Sequence, residues 1–66
     1  MTVVLNGKNV DISEGMTLLG LLESRGISSE TVVVELNREI LSADAFVSTI
    51  LGDGDLLEVL RFVGGG

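Results

Sequence analysis

The sequence has no cysteine, histidine, tryptophan or tyrosine among its 66 residues. Without cysteine there is no disulfide and no thiolate-bound metal to stabilise so small a chain, so the 45% of residues that are apolar must form the core unaided. The same absences remove the imidazole base, the thiol nucleophile and the tyrosyl acid that many enzymes use. The composition therefore argues against an autonomous enzyme.

Positive charge is also scarce, since four cations stand against ten acidic residues and the net charge is −6. A chain without a basic stripe is poorly suited to nucleic acid or to an anionic membrane surface. The longest apolar run, at positions 18–22, is far shorter than the roughly 20 residues that a bilayer span needs, and no signal peptide is visible. We therefore expect a cytoplasmic protein with no nucleic-acid or membrane partner, whose acidic surface favours a basic protein partner.

A β-hairpin is predicted at the start of the chain. Residues 2–6 are short and rich in β-branched side chains, residues 9–12 alternate between apolar and polar, and Asn6-Gly7 lies between them. Asn-Gly favours a type I′ turn because both central residues need positive φ. The alternation places one set of side chains on the core face: Val3, Leu5, Val10 and Ile12.

The next segment has the pattern of a helix. Thr17 is a suitable N-cap, leucines follow at spacings of three and four, and Arg25 and Gly26 favour an end there. Gly20 lies inside this helix, where glycine costs about 1 kcal/mol relative to alanine. We interpret Gly20 as a site of close packing against a strand.

The remaining elements are a strand at 32–36, a short strand at 39–41, a helical turn at 42–46 and a final strand at 56–63. A hairpin followed by a helix and further strands predicts an α+β fold, a mixed four- to five-stranded sheet packed on one helix. This is the ubiquitin-like β-grasp arrangement. We assign residues 1–63 to the β-grasp domain and residues 64–66 to a flexible C-terminal glycine tail.

Acidic residues offer no clear metal site. Asp53 and Asp55 flank Gly54, but two carboxylates fall short of a calcium loop, and Asp commonly bonds its own backbone in turns. Glu35 and Glu39 are interpreted as solvated rim charges. We predict no metal ligands and no catalytic residue.

The end of the chain carries the strongest functional signal. If Leu57 and Val59 face the core, Glu58, Leu60 and Phe62 lie on the opposite face. Together with the adjoining Val63 they form a candidate partner-binding patch. The patch leads directly into the glycines, whose missing Cβ allows close approach and access to a narrow channel. Two simpler explanations stay open: a loop or a second copy covers the patch, or the glycines are a frayed terminus or a scar.

In combination these features resemble the ubiquitin-like sulfur carrier proteins, most closely the ThiS family of thiamine biosynthesis within the ThiS/MoaD superfamily. The resemblance covers the whole chain and depends on these segments in order: Asn6-Gly7, residues 17–23, residues 34–37, residues 53–55 and residues 62–66.

The resemblance implies a protein co-substrate and not an enzyme. Gly66 would be adenylated by an E1-like adenylyltransferase that uses ATP and Mg²⁺, with no cofactor bound by the carrier itself, and would become a thiocarboxylate. Gly65 and Gly64 would form the rest of the tail. A cysteine desulfurase or a rhodanese-type protein would donate the sulfur, and thiazole synthase would receive it.

Other functions share this fold and tail. The alternatives are a sulfur carrier for molybdopterin, for cysteine or methionine, or for tRNA thiolation, and a ubiquitin-like protein modifier. The sequence leaves open the final sulfur acceptor, the oligomeric state, and whether Gly64 is gripped or acts as a spacer.

Overall fold

The computed structural model describes residues 1–62. Its elements are β1 (Thr2–Leu5), β2 (Lys8–Asp11), α1 (Leu18–Ser24), β3 (Val32–Leu36), β4 (Glu39–Leu41) and β5 (Leu56–Arg61), with 3-10 turns at Ser29–Thr31 and Ala43–Ala45. The predicted strand end at Val63 and the glycine tail lie outside the described residues. Within residues 1–62, no helix is long and apolar enough to cross a membrane.

The first hairpin forms as predicted. Asn6 and Gly7 have φ values of 49° and 81°, the positive values that a type I′ turn requires. The turn sets the register of the antiparallel pair, in which Leu5 lies opposite Lys8 and Val3 opposite Val10. Val3 and Leu5 are consequently buried on the face that packs against the helix.

Helix α1 also begins and ends close to the predicted residues. The Thr17 hydroxyl accepts a hydrogen bond of 3.0 Å from the Gly20 N–H, and Gly26 follows the helix with φ +70°. Leu18, Leu21 and Leu22 are buried, as the three- and four-residue spacing predicts.

The interpretation of Gly20 as a contact with a strand is wrong. A Cβ at this position would lie 3.3 Å from Thr17 Oγ1 and 3.7 Å from Met16 Cγ, the two nearest heavy atoms. Gly20 therefore accommodates the capping hydroxyl of its own helix, because that hydroxyl must approach the Gly20 N–H to accept its hydrogen bond.

The sheet has five strands in the order β2-β1-β5-β3-β4. The last strand, β5, lies in the middle, parallel to β1 and antiparallel to β3. The sheet is therefore mixed and packs on one helix, which confirms the predicted α+β, β-grasp fold.

The core lies between α1 and the inner face of the sheet. It is closed on one side by the segment between β4 and β5, which contributes Phe46 and Leu51. A backbone hydrogen bond from Leu19 N–H to Phe46 C=O (3.0 Å) joins this segment to α1, and one from Leu51 N–H to Met16 C=O (2.9 Å) joins it to the residues just before α1. No polar or charged residue among the described ones is buried, so apolar packing alone fills the interior.

Candidate functional site

The candidate site is the outer face of the sheet, meaning the face opposite α1, along the second half of β5. Side chains alternate along this strand: Leu57 and Val59 are 1% and 9% exposed, whereas Leu60 and Phe62 are 59% and 50% exposed. Two large apolar side chains therefore stand in solvent directly before the glycine tail.

Strand β3 widens this apolar surface. Val33 lies opposite Leu60 in the antiparallel register and is itself exposed on the outer face. The Phe62 N–H donates to the Thr31 C=O at 3.1 Å, which continues the pairing one residue beyond β5. We call Val33, Leu60 and Phe62 the tail-side patch. Exposed apolar groups that adjoin in this way are characteristic of a docking surface.

Two carboxylates adjoin the tail-side patch. Glu58 lies opposite Glu35 in the β3–β5 register, so two negative charges share the outer face. Like charges directly opposite one another destabilise a sheet. Glu35 and Glu58 line a shallow depression together with Val4, Leu56 and Arg38. An apolar surface next to paired acids is complementary to a partner that offers apolar and cationic side chains.

The exposed apolar surface of the outer face extends beyond the candidate partner-binding patch that the sequence predicts. Leu56 and Ile40 are 45% and 70% exposed. Val33 alternates with the buried Val32 and Val34, which is a pattern visible in the sequence, but no sequence pattern indicates that Val33 and Leu60 are neighbours. Their pairing depends on the antiparallel β3–β5 register, which no local pattern encodes.

The predicted reaction position lies in the glycine tail. Val63, Gly64, Gly65 and Gly66 lie outside the described residues, so the candidate reaction position at Gly66 stays a prediction. The last described residues are Arg61, which ends the central strand β5, and Phe62, which follows it.

Arg61 lies at the end of the central strand, just before the glycine tail in sequence. It is the last residue of β5 and lies opposite Val32. Because β5 is the central strand, Arg61 lies away from the sheet edge, and it borders a groove on the helix side formed with Leu5 and Ile27.

The acidic turn before β5 serves the backbone. Asp53 Oδ1 accepts from the Thr2 N–H (2.9 Å), and Asp55 Oδ2 accepts from the Gly52 N–H (2.6 Å). Asp55 Oδ1 also accepts from Asn37 Nδ2 at 3.1 Å. These contacts agree with the interpretation of both residues as turn-forming. Among residues 1–62, no group of three potential metal-ligating side chains is close enough to hold an ion.

Two asparagines with positive φ, Asn6 and Asn37, also bond β5 through their side chains. The side chain of Asn6 bonds the backbone of Val59, and that of Asn37 bonds the Leu56 N–H at 3.0 Å. Both asparagines are far from β5 in sequence. The sequence does not indicate these contacts. Asparagine is common where a turn needs positive φ, so its presence before a glycine or at a strand end points to no further role.

Comparison with known proteins gives a consistent result. The model of the ThiS family matches residues 3–66. The sulfur carrier protein ThiS of Bacillus subtilis is 38% identical over 63 residues, which cover 94% of this chain and 96% of that protein. The crystal structure of the thiamine biosynthesis protein ThiS from Geobacter metallireducens superposes with a TM-score of 0.85 at 39% identity, covering 100% of both chains.

A second kind of relative is much longer. The thiazole synthase of Paramagnetospirillum magneticum is 39% identical over 66 residues, covering 100% of this chain. The chain spans only 20% of the length of the thiazole synthases that it matches. A segment similar to the whole of this chain therefore occurs within proteins named for that activity.

Proposed function

The chain belongs to the ThiS family, and on that premise we propose that it is a sulfur carrier for thiamine thiazole biosynthesis that works through a thiocarboxylate at Gly66. It would act as a co-substrate of other enzymes. The observation that carries the proposal is the tail-side patch, which exposes Leu60 and Phe62 directly before the glycine tail.

The chemistry begins with an unreactive group. A carboxylate is a poor electrophile, so an oxygen of the Gly66 carboxylate first attacks the α-phosphate of ATP and releases pyrophosphate. The terminal sulfur of a persulfide then attacks the acyl carbon and releases AMP. A thiol reductant cleaves the remaining sulfur–sulfur bond and leaves the thiocarboxylate. ATP and Mg²⁺ belong to the activating enzyme, and the carrier contributes the acyl group.

The carrier's own residues would deliver that group. Binding of the tail-side patch buries apolar surface at about 25 cal/mol per Å², which ties the folded body to the activating enzyme while the glycines enter its active site. Glu58 and Glu35 would face cationic side chains of the same partner and increase the rate of encounter. Glycine offers the least steric obstruction to adenylation of the carboxylate and to the later attack of the persulfide on its acyl carbon.

The partners follow from this sequence of steps. We propose an E1-like adenylyltransferase for activation, a cysteine desulfurase or rhodanese-type protein as sulfur donor, and thiazole synthase as acceptor, all in the cytoplasm. The similarity of the whole chain to part of two thiazole synthases supports the last of these. Covalent linkage of a carrier segment to its acceptor would raise the effective concentration of one for the other.

Intact mass spectrometry tests the proposal. The chain is incubated with its adenylyltransferase, ATP and a persulfide donor, and a mass increase equal to the exchange of one oxygen for sulfur is expected. Fragmentation should place the change at Gly66. An unchanged mass with an enzyme that activates a known ThiS would overturn the proposal. An isopeptide-linked ladder in cell extract would favour a protein modifier instead.

A further inference from the structure

The side-chain amide of Asn6 bonds both backbone groups of Val59, a residue 53 positions away in the chain. The Val59 N–H donates to Asn6 Oδ1 at 2.8 Å, and Asn6 Nδ2 donates to the Val59 C=O at 3.2 Å. Because Val59 presents one donor and one acceptor, these two contacts fix the orientation of the amide.

The two bonds continue the β1–β5 ladder beyond the end of β1. The last backbone rung runs from the Asn6 N–H to the Leu57 C=O at 2.9 Å. A continuing parallel strand would next offer a carbonyl and then an N–H to Val59. The chain instead turns at Asn6, where φ is 49°, and the side chain supplies the carbonyl and the N–H in place of the backbone.

These are the last ties on that side of β5 among residues 1–62. On the opposite side, β3 and the residue before it hold the strand as far as Phe62, through the bond to Thr31. A strand held on one side only can bend away from the plane of the sheet. The Asn6 amide therefore restrains the direction in which β5 leaves the sheet toward the glycine tail.

We propose that Asn6 is a positioning residue for the activation of Gly66, and this role rests on the function proposed above. The amide keeps the end of β5, with Leu60 and Phe62, in the plane of the sheet beside Val33. One binding event then both docks the tail-side patch and directs the tail into the active site. Without the amide, only a fraction of carriers has this alignment. The apparent KM of the activating enzyme for the carrier then rises in inverse proportion to that fraction, while kcat is unchanged.

Asn37 provides a matched control. It too has positive φ, 51°, and its side chain likewise makes two hydrogen bonds at β5, to the Leu56 N–H and the Asp55 carboxylate. These bonds lie at the start of the strand, away from the tail. Asn6→Gly and Asn37→Gly each remove the amide without straining a backbone that needs positive φ.

The experiment measures ATP–pyrophosphate exchange by the activating enzyme at increasing concentrations of the full chain. For Asn6→Gly we expect KM to rise about tenfold at unchanged kcat, since two hydrogen bonds of typical net strength are lost. For Asn37→Gly we expect wild-type KM at a comparable loss of melting temperature. Amide exchange at Phe62, whose N–H bonds the Thr31 C=O, should accelerate in Asn6→Gly alone.

A second variant at the same position keeps the proposal testable if Asn6→Gly fails to fold. Asn6→Asp keeps the acceptor for the Val59 N–H but turns an oxygen toward the Val59 C=O, so the same rise in KM is expected. Wild-type KM in both Asn6 variants, or an equal rise in Asn37→Gly, would overturn the positioning role and leave the carrier function standing. Absence of exchange with the wild-type chain would instead remove the proposed function, and the role of Asn6 with it.

Discussion

Leu60 lies directly opposite Val33 on adjacent antiparallel strands, and both side chains face solvent on the side of the sheet away from the helix. Cross-strand apolar pairs stabilise a sheet by roughly 0.2–1 kcal/mol. This modest contribution means that the surface can be altered without unfolding the domain, which makes its binding role testable.

The first prediction concerns Phe62, which is 50% exposed. We expect Phe62→Asp to weaken binding to the activating enzyme by about tenfold or more, because a central aromatic contact is typically a major source of binding free energy. The free energy of unfolding should change by less than about 1 kcal/mol. Calorimetric titration and urea denaturation measure the two quantities.

Val47→Asp is the control for this variant, since Val47 is 63% exposed but lies in the segment between β4 and β5. It should bind the enzyme like the wild type. Unfolding of Phe62→Asp would place Phe62 in the core, and equal affinities for the two variants would exclude Phe62 from the interface.

The second prediction concerns Glu58, which lies opposite Glu35. Glu58→Lys replaces a like-charge pair with an opposite-charge pair, so we expect the domain to be stabilised by about 0.5 kcal/mol. If cationic side chains of the proposed activating enzyme face Glu58, association should become slower, and the deficit should shrink at high salt. Stopped-flow association at two ionic strengths measures the second effect.

Glu23→Lys changes the net charge by the same amount from the exposed end of α1. It should alter neither stability nor association rate as strongly as Glu58→Lys. Equal slowing by both variants would mean that net charge, and not the outer face of the sheet, governs the encounter.

The third prediction is that deletion of Gly65 and Gly66 abolishes adenylation with almost no change in melting temperature. Every buried apolar residue of the described core lies between Val3 and Val59, so the deletion removes nothing from it. Thermal denaturation and ATP–pyrophosphate exchange provide the two measurements. A large drop in melting temperature would show that the tail contributes to the fold.

The fourth prediction concerns the N-cap of α1. Thr17→Ala should cost about 1 kcal/mol through loss of the hydrogen bond to the Gly20 N–H. Gly20→Ala should gain almost nothing, because its Cβ would lie 3.3 Å from the Thr17 hydroxyl and disturb the cap. In the Thr17→Ala background, Gly20→Ala should instead stabilise by about 1 kcal/mol, the usual difference in helix propensity.

Urea denaturation of the two single variants and the double variant closes this cycle. Additive free energies of unfolding would contradict the interpretation, because they would mean that the cap and the glycine are independent.

Local elements of this fold are well predicted by local sequence. Asn6-Gly7 fixes the first turn, Thr17 and Gly26 bracket the helix, and the alternation through 32–36 gives β3 its buried and exposed faces. In each case the cause lies within a few residues, in backbone conformation or in side-chain periodicity.

Longer-range features follow from contacts that no local pattern encodes. The parallel pairing of β1 with β5 brings together the two ends of the described chain, and it alone places Asn6 next to Val59. The neighbour of Gly20 is hard to predict for a different reason. A glycine inside a helix pattern indicates a close contact but not its partner, which here is the capping hydroxyl of Thr17.

The central position of β5 also determines how the domain responds to traction. Strand β5 is flanked by β1 on one side and β3 on the other. A pull along the chain beyond Phe62 loads the rungs of both ladders together, in shear, whereas an edge strand could be peeled away one rung at a time. An enzyme that holds the glycines can therefore pull on the tail while the domain stays folded and moves as one rigid body.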